Sequence, residues 1–241
     1  MTKREWLRCG DPVKMLDSLN GRASDRTLRL FAAACCRRIW DLLIDKRSRT
    51  AIEVLERFAD GRVSETAFAA AAEDAHRAAE EGGTEGNPYA AWSAANAVGA
   101  GQTDEEEEAT EVTALTAAKD TAFAAAWAVG HHAHPDDSGD AWHRVTKAHE
   151  ATECQLLRDV RPHRPVRCDR SILTATIASL AEAADNERIL PAGELEPARL
   201  AVLADALEEA GCSDEAILSH LRSAGPHVRG CWAVDLILGK E

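Results

Sequence analysis

Apolar residues along this chain recur every three or four positions in segment after segment, the period of an amphipathic helix rather than the two-residue alternation of a half-buried strand. Leu28, Phe31, Ala32, Cys35, Ile39, Leu42 and Leu43 form the strongest early stripe, behind Ser24 as N-cap and opposite Arg26, Arg29, Arg37 and Asp41. A shorter helix is predicted before it over residues 12–19, with Asp11 as N-cap and Pro12 in the first turn, where its missing N–H costs nothing. Residues 49–59 turn Ile52, Leu55 and Phe58 inward and stop at Asp60-Gly61; Ser64-Glu65 then opens an alanine-rich helix to residue 81.

After a turn cluster at 82–88, Pro88 opens a helix through residue 98. Val112, Leu115, Ala118, Ala122, Ala126 and Val129 trace a long helix, which the sequence HHAHPDDSGD is expected to break. Trp142, Val145, His149, Thr152 and Leu156 trace the next one. Two prolines in RPHRPV, residues 161–166, mark the clearest boundary, because proline disfavours helix at and before its own position. Helices are predicted beyond it near 171–184, 196–210, 213–221 and 230–238. The expected architecture is all-α: an alanine-rich multi-helix body over residues 1–160 and a smaller helical C-terminal unit over 161–241, two parts that could pack as one domain.

Composition narrows this picture. Aromatic residues make up only 5% of the chain and alanine dominates its middle, which suits close helix packing better than strand pairing. The net charge of −13 argues against whole-molecule attraction to nucleic acid or to an anionic membrane. That charge is polarised: residues 1–50 carry +6 and the remainder −19, so the basic N-terminal segment could dock on an acidic surface, including the rest of this chain. Nucleic-acid contact through residues 22–49 is a weaker expectation on the same ground. Seven cysteines, an odd number, with a charged start and no apolar leader, read as free thiols in a reduced cytoplasmic setting. The run Glu105–Glu108 reads as a solvated loop or an acidic first helical turn.

No nucleophile elbow, phosphate-binding glycine loop or dinucleotide fingerprint is present, and no Cys-x-x-Cys or His-Glu-x-x-His; the nearest, at His149-Glu150, carries Glu153 where the second histidine would stand. Metal chemistry has two candidate sets. Cys212, His220, His227 and Cys231 offer the donor types of a tetrahedral zinc site, although only His227 and Cys231 approach the usual paired spacing; the alternative reading buries Cys212 after a helix stop and Cys231 in the core and sets His220 on a helix face. Glu73-x-x-His76 and, imperfectly, Asp140-x-x-His143 match the half-motif of a di-metal carboxylate bundle. His131, His132 and His134 are expected in an exposed loop beside Asp136 and Asp137. Cys35-Cys36 reads as a buried structural pair, adjacent residues being unable to form an unstrained disulfide. Arg161, His163, Arg164 and Arg167 form a basic knot that either holds a phosphate or carboxylate or pairs with acidic helix ends.

The block GPHVRGCW implies a sharply turning connection anchored by Trp232. It leaves His227, Arg229 and Asp235 around the start of the last helix, where an anion or partner could be received.

Three stretches carry a resemblance: SDRTLRLFAAACCRRIWDLL with AIEVLERFADG; ECQLLRDV with the following RPV; and LPAGELEPARLAVLADALEEAGCSDEAILSHLRSAGPHVRGCWAVDLILGKE. In these the chain resembles a large group of paralogous, uncharacterised proteins from planctomycete bacteria of the Gemmata type. RLAVLADALEEAG is also similar to the short repeat-companion segment that accompanies other repeats in those genomes. The resemblance implies family membership and no activity, and no catalytic residues carry across.

The functional expectation from sequence is therefore a non-enzymatic interaction or adaptor module with a protein partner. Its contact surface is either the arginine face including Arg37 and Arg38 or the groove beside His227, Arg229, Trp232 and Asp235. That module would need no cofactor; the alternative is a metal-binding helical enzyme or sensor, with a di-iron or di-manganese site using Glu73 and His76 or zinc at the Cys212, His220, His227 and Cys231 set.

Overall fold

The computed structural model describes residues 1–82, 87–99, 113–135 and 139–240. The acidic run Glu105–Glu108 and the aspartates Asp136 and Asp137 lie outside the described residues. Twelve α-helices, short 3₁₀ turns and isolated bridges account for the regular structure among the described residues, with no β-strand, so the fold is all-α. None of these helices is long and apolar enough to cross a membrane.

The chain divides into two compact units, residues 1–154 and 155–241. The first contains α1 (Lys3–Arg8), α2 (Pro12–Asp17), α3 (Asp25–Arg38), α4 (Lys46–Ala59), α5 (Glu65–Glu81), α6 (Pro88–Ala97), α7 (Ala114–Ala133) and most of α8 (Asp140–Val160). The division falls inside α8, upstream of the proline-rich stretch at 161–166. Side-chain caps set the starts. Asp11, Ser24, Ser64 and Thr113 each accept a hydrogen bond from a first-turn backbone N–H, satisfying donors that a helix terminus leaves open.

Helix α3 ends sooner than its apolar stripe, at Arg38, and Trp40–Leu42 continue as a 3₁₀ turn. Ile39 and Leu43 are buried all the same. Asp45 then caps α4 three residues ahead of the predicted start. Helix α7 runs on through His131 and His132, which the sequence placed in a loop, and His131 stacks on Tyr89 with ring centroids 4.5 Å apart. That aromatic contact gives the imidazole a helical partner which its polar neighbours in sequence conceal.

Alanine sets the packing here. Ala90, Ala94 and Ala97 of α6 and Ala118, Ala122 and Ala125 of α7 are buried, and small side chains let the two backbones pack closely. At Gly130 a Cβ would stand 2.5 Å from Trp142 Nε1 and 2.7 Å from Thr146 Oγ1, so only glycine fits between α7 and α8. Arg37 is buried and makes two 3.0 Å hydrogen bonds to the Glu56 carboxylate, with its guanidinium 4.3 Å from the Trp40 ring centroid. It is therefore an internal ion pair rather than part of an exposed contact face, whereas Arg38 is exposed.

The second unit comprises the end of α8 and four helices: α9 (Ala175–Asn186), α10 (Pro197–Glu209), α11 (Glu215–Leu221) and α12 (Trp232–Leu238). One apolar cluster joins Ile177, Leu200, Leu203, Leu207, Ile217, Leu221, Val234 and Ile237. Cys212, offered by sequence as a metal ligand, belongs to this cluster. Glu194 bridges both Ile189 and Val228, and the Leu195 N–H donates to the His227 carbonyl at 2.8 Å, so the long α11–α12 connection is pinned at its centre.

Candidate metal centre

Four side chains from different parts of the second unit converge on one point. Asp159 comes from the last turn of α8, His220 from α11, His227 from the α11–α12 connection and Cys231 from the N-cap of α12. Their ligand atoms all lie within 4.8 Å of one another, and they form the only such group of three or more among the described residues. His227 Nδ1 stands 2.7 Å and His220 Nε2 3.1 Å from Asp159 Oδ1, while Cys231 Sγ is 3.2 Å from His220 Nε2 and 3.9 Å from His227 Nδ1. Tetrahedral zinc bond lengths require ligand–ligand edges of about 3.3–3.6 Å, so each of these four edges is within about 0.6 Å of the required cage.

The local chain explains how the donors are held. Gly225, at φ +86°, lets the connection double back so tightly that a Cβ there would meet the His227 N–H at 2.8 Å. The Val228 N–H donates to Asp159 Oδ2 at 2.8 Å, leaving Oδ1 facing the cluster. Ser223 Oγ donates to the His220 carbonyl at 2.8 Å, which uses the only proton a serine hydroxyl has. His227 Nε2, 3.0 Å from that Oγ and 3.2 Å from the Ser223 carbonyl, is therefore a protonated ring nitrogen. His227 Nδ1 donates to Asp159 Oδ1 at 2.7 Å, and a metal ion taking that proton's place would leave a neutral imidazole whose Nε2–H is held by its outer-shell acceptors, the arrangement typical of metal-bound histidine. Trp232 walls the site, its ring centroid 4.7 Å from that of His220.

Electrostatics fit the same geometry. Burial opposes the charged form of Asp159, but hydrogen bonds from His220 and His227 outweigh it and hold the carboxyl below its ordinary range. Burial also opposes the His227 cation, and the Asp159 carboxylate overcomes it and raises the imidazole. Burial, reinforced by the Asp159 charge, pushes the Cys231 thiol well above its ordinary value, so a metal bound there must displace its proton.

Of the sequence candidates, His220, His227 and Cys231 thus come together, and Asp159 takes the place that the zinc reading gives to Cys212, which is buried as the alternative reading has it. Asp159 lies 68 residues before His227, too far for spacing to reveal. One signal was available: a carboxylate in the last turn of a helix opposes the dipole and needs a partner. Arg229 and Asp235 are both buried, at 7% exposure, so they do not form an open receiving surface at the start of α12.

The other metal candidates do not assemble. Glu73, Asp140 and His143 are exposed, and His76 pairs with Glu80 along its own helix at 3.3 Å. His149 lies 3.4 Å from the fully buried Glu153 without meeting hydrogen-bond geometry, and among the described residues no third ligand joins them. Desolvation pushes the Glu153 carboxyl up to about 7 and the Cys36 thiol up to about 12. All seven cysteines are free thiols. A cavity of about 340 Å³ in the first unit is lined by Leu43, Ser48, Ala78 and Ala91, among others, and none of the predicted site residues reaches it. Comparison of the chain with family models, curated proteins and solved structures finds no match.

Proposed function

We propose that the second unit is a metal-stabilised helical module that binds one zinc-type transition-metal ion through Asp159 Oδ1, His220 Nε2, His227 Nδ1 and Cys231 Sγ. The observation that carries this reading is the convergence of four donors of the right types, from four separate elements, on a largely buried point. One thiolate, two imidazoles and one carboxylate suit zinc or cobalt rather than magnesium or calcium, which take oxygen cages. Four protein ligands fill a tetrahedron and leave no open position for a substrate, so the role is structural. The ion would tie the end of α8 to α11, to the middle of the α11–α12 connection and to the start of α12, and its binding free energy would add to the folding free energy.

The test is the metal content of protein purified without chelator, together with zinc titration of the apoprotein. One equivalent bound by the parent chain supports the reading, provided that Asp159→Asn, His220→Ala and Cys231→Ser each abolish it. Asp159→Asn keeps an oxygen acceptor for the Val228 N–H, so its effect reports the metal rather than the backbone clamp. An alternative network of hydrogen bonds centred on Asp159, needing no ion, is established if the folded protein takes up less than a tenth of an equivalent.

A further inference from the structure

Arg158, Arg161, Arg164, Arg167 and Arg170 stand at every third residue of the stretch that leaves α8. Only two acidic residues, Asp159 and Asp169, are interspersed. Asp159 is committed to the cluster described above, and Asp169 accepts hydrogen bonds from the Ser171 N–H and hydroxyl at 2.9 and 2.8 Å, capping a 3₁₀ turn. Residues 161–169 form neither helix nor strand, in keeping with Pro162 and Pro165, and their backbone follows the surface. Val166 and Cys168 pack against the apolar cluster and anchor the segment from within. Arg164, Arg167 and Arg170 are exposed.

These three arginines have no carboxylate at ion-pair distance among the described residues. Elsewhere in the same unit the pattern is different. Arg199 pairs with Glu187 and Glu196, and Arg222 with Asp205 and Glu208. Acidic partners are plentiful there, since residues 171–240 carry eleven acidic and five basic residues. An anchored strip of unneutralised guanidinium groups in an otherwise acidic unit is a surface complementary to negative charge.

Scale and surroundings select the partner. Arg164 and Arg167 stand on non-helical backbone and Arg170 opens the following 3₁₀ turn, so their separations cannot exceed the ~10 Å of three extended residues, an interval within reach of every third residue of an extended peptide laid alongside. The planar guanidinium fork matches a carboxylate in bidentate fashion. A long polyanion such as nucleic acid would run past the strip onto acidic surface, whereas a short acidic peptide would not. We propose that Arg164, Arg167 and Arg170 form a docking strip for a short, extended acidic segment of a protein partner, with Asp or Glu at three-residue intervals. This inference does not rest on the metal reading.

The probe is a fluorescein-labelled peptide of repeated Glu-Ser-Ser triplets, titrated with the full-length protein and followed by fluorescence anisotropy at low ionic strength. Saturable binding that weakens with added salt is expected, with about a threefold loss for each Arg→Ala substitution and about thirtyfold for R164A/R167A/R170A, the scale of exposed ion pairs. The triple Arg→Lys variant, which keeps the charge and loses the fork, should fall between parent and triple alanine. Far-UV circular dichroism confirms that each variant is folded. Absence of binding by the parent protein overturns the proposal, as does equal binding by the triple alanine variant or by the Gln-Ser-Ser peptide. Tighter binding of an oligothymidylate of matched length overturns it in favour of a nucleic-acid surface.

Discussion

Replacing Glu153 by glutamine should remove a pH dependence that this one buried carboxyl imposes on the stability of the protein. Glu153 is fully buried on α8, and neither carboxylate oxygen meets a hydrogen-bond partner. Desolvation, opposed in part by His149, raises its folded pKa to about 7 from the ordinary 4.5. Between those two values the folded chain keeps a proton that the unfolded chain has released, so stability falls as pH rises. The contribution is intact below the unfolded value and is lost progressively as pH climbs through the folded one. At 1.36 kcal/mol per pKa unit, the interval corresponds to a loss of ~3 kcal/mol by pH ~8.

Glu153→Gln keeps the shape and removes the charge. The variant should match or fall slightly below the parent at acidic pH and exceed it by up to ~3 kcal/mol at pH ~8, the amide's extra hydrogen taking back part of the gain. Urea denaturation across that range, with chelator present throughout, measures both proteins. Plotting the difference between them cancels every other titrating group. A difference that does not change with pH would refute the claim that burial outweighs the nearby His149 in setting the Glu153 carboxyl.

Three further outcomes follow from the packing and the cluster. Gly130→Ala should cost about 1–3 kcal/mol in chemical denaturation, because its Cβ would stand 2.5 Å from Trp142 Nε1; unchanged stability would mean that α7 and α8 are not in close contact there. Glu56→Gln should cost about 3–5 kcal/mol by stranding the buried Arg37 guanidinium, and adding Arg37→Met should restore much of it; a strictly additive double variant would contradict the pairing. Zinc at about a thousand times its dissociation constant should stabilise the parent by ~4 kcal/mol and leave Cys231→Ser unmoved, read as a shift of the unfolding midpoint; an equal shift in both proteins would locate the ion elsewhere.

Much of the fold is legible in the sequence because its helix signals are local. Asp11, Ser24 and Ser64 each cap the helix their positions predict, and the three-four stripe of α3 is buried. Boundaries shift where a tertiary partner overrides a local cue. His131 and His132 look like loop residues beside Pro135, yet α7 extends through both and Tyr89 stacks on His131. Helix α3 stops at Arg38 although apolar spacing continues, because Ile39 and Leu43 reach the core through a 3₁₀ turn instead of another helical one.

The candidate centre shows the same division between local and distant information. His220, His227 and Cys231 are close in sequence and were visible as a group. Cys212 completes that set by donor type and not by spacing, and the apolar cluster takes it in, in keeping with the reading of Cys212 as a buried core residue. Asp159 enters from a distant helix end, and only the fold brings it there. The reading of Arg37 as a contact residue failed for a related reason: its carboxylate partner, Glu56, is supplied by the next helix.

Cobalt substitution of the apoprotein tests the central claim most directly, since tetrahedral cobalt with a thiolate ligand gives intense visible d–d bands and a near-ultraviolet sulfur-to-metal charge-transfer band. One equivalent of cobalt should produce both. Cys231→Ser should abolish the charge-transfer band, and Cys212→Ser should leave the spectrum unchanged. Weak octahedral absorption in the parent, or a charge-transfer band that survives Cys231→Ser, would contradict a metal centre built from Asp159, His220, His227 and Cys231.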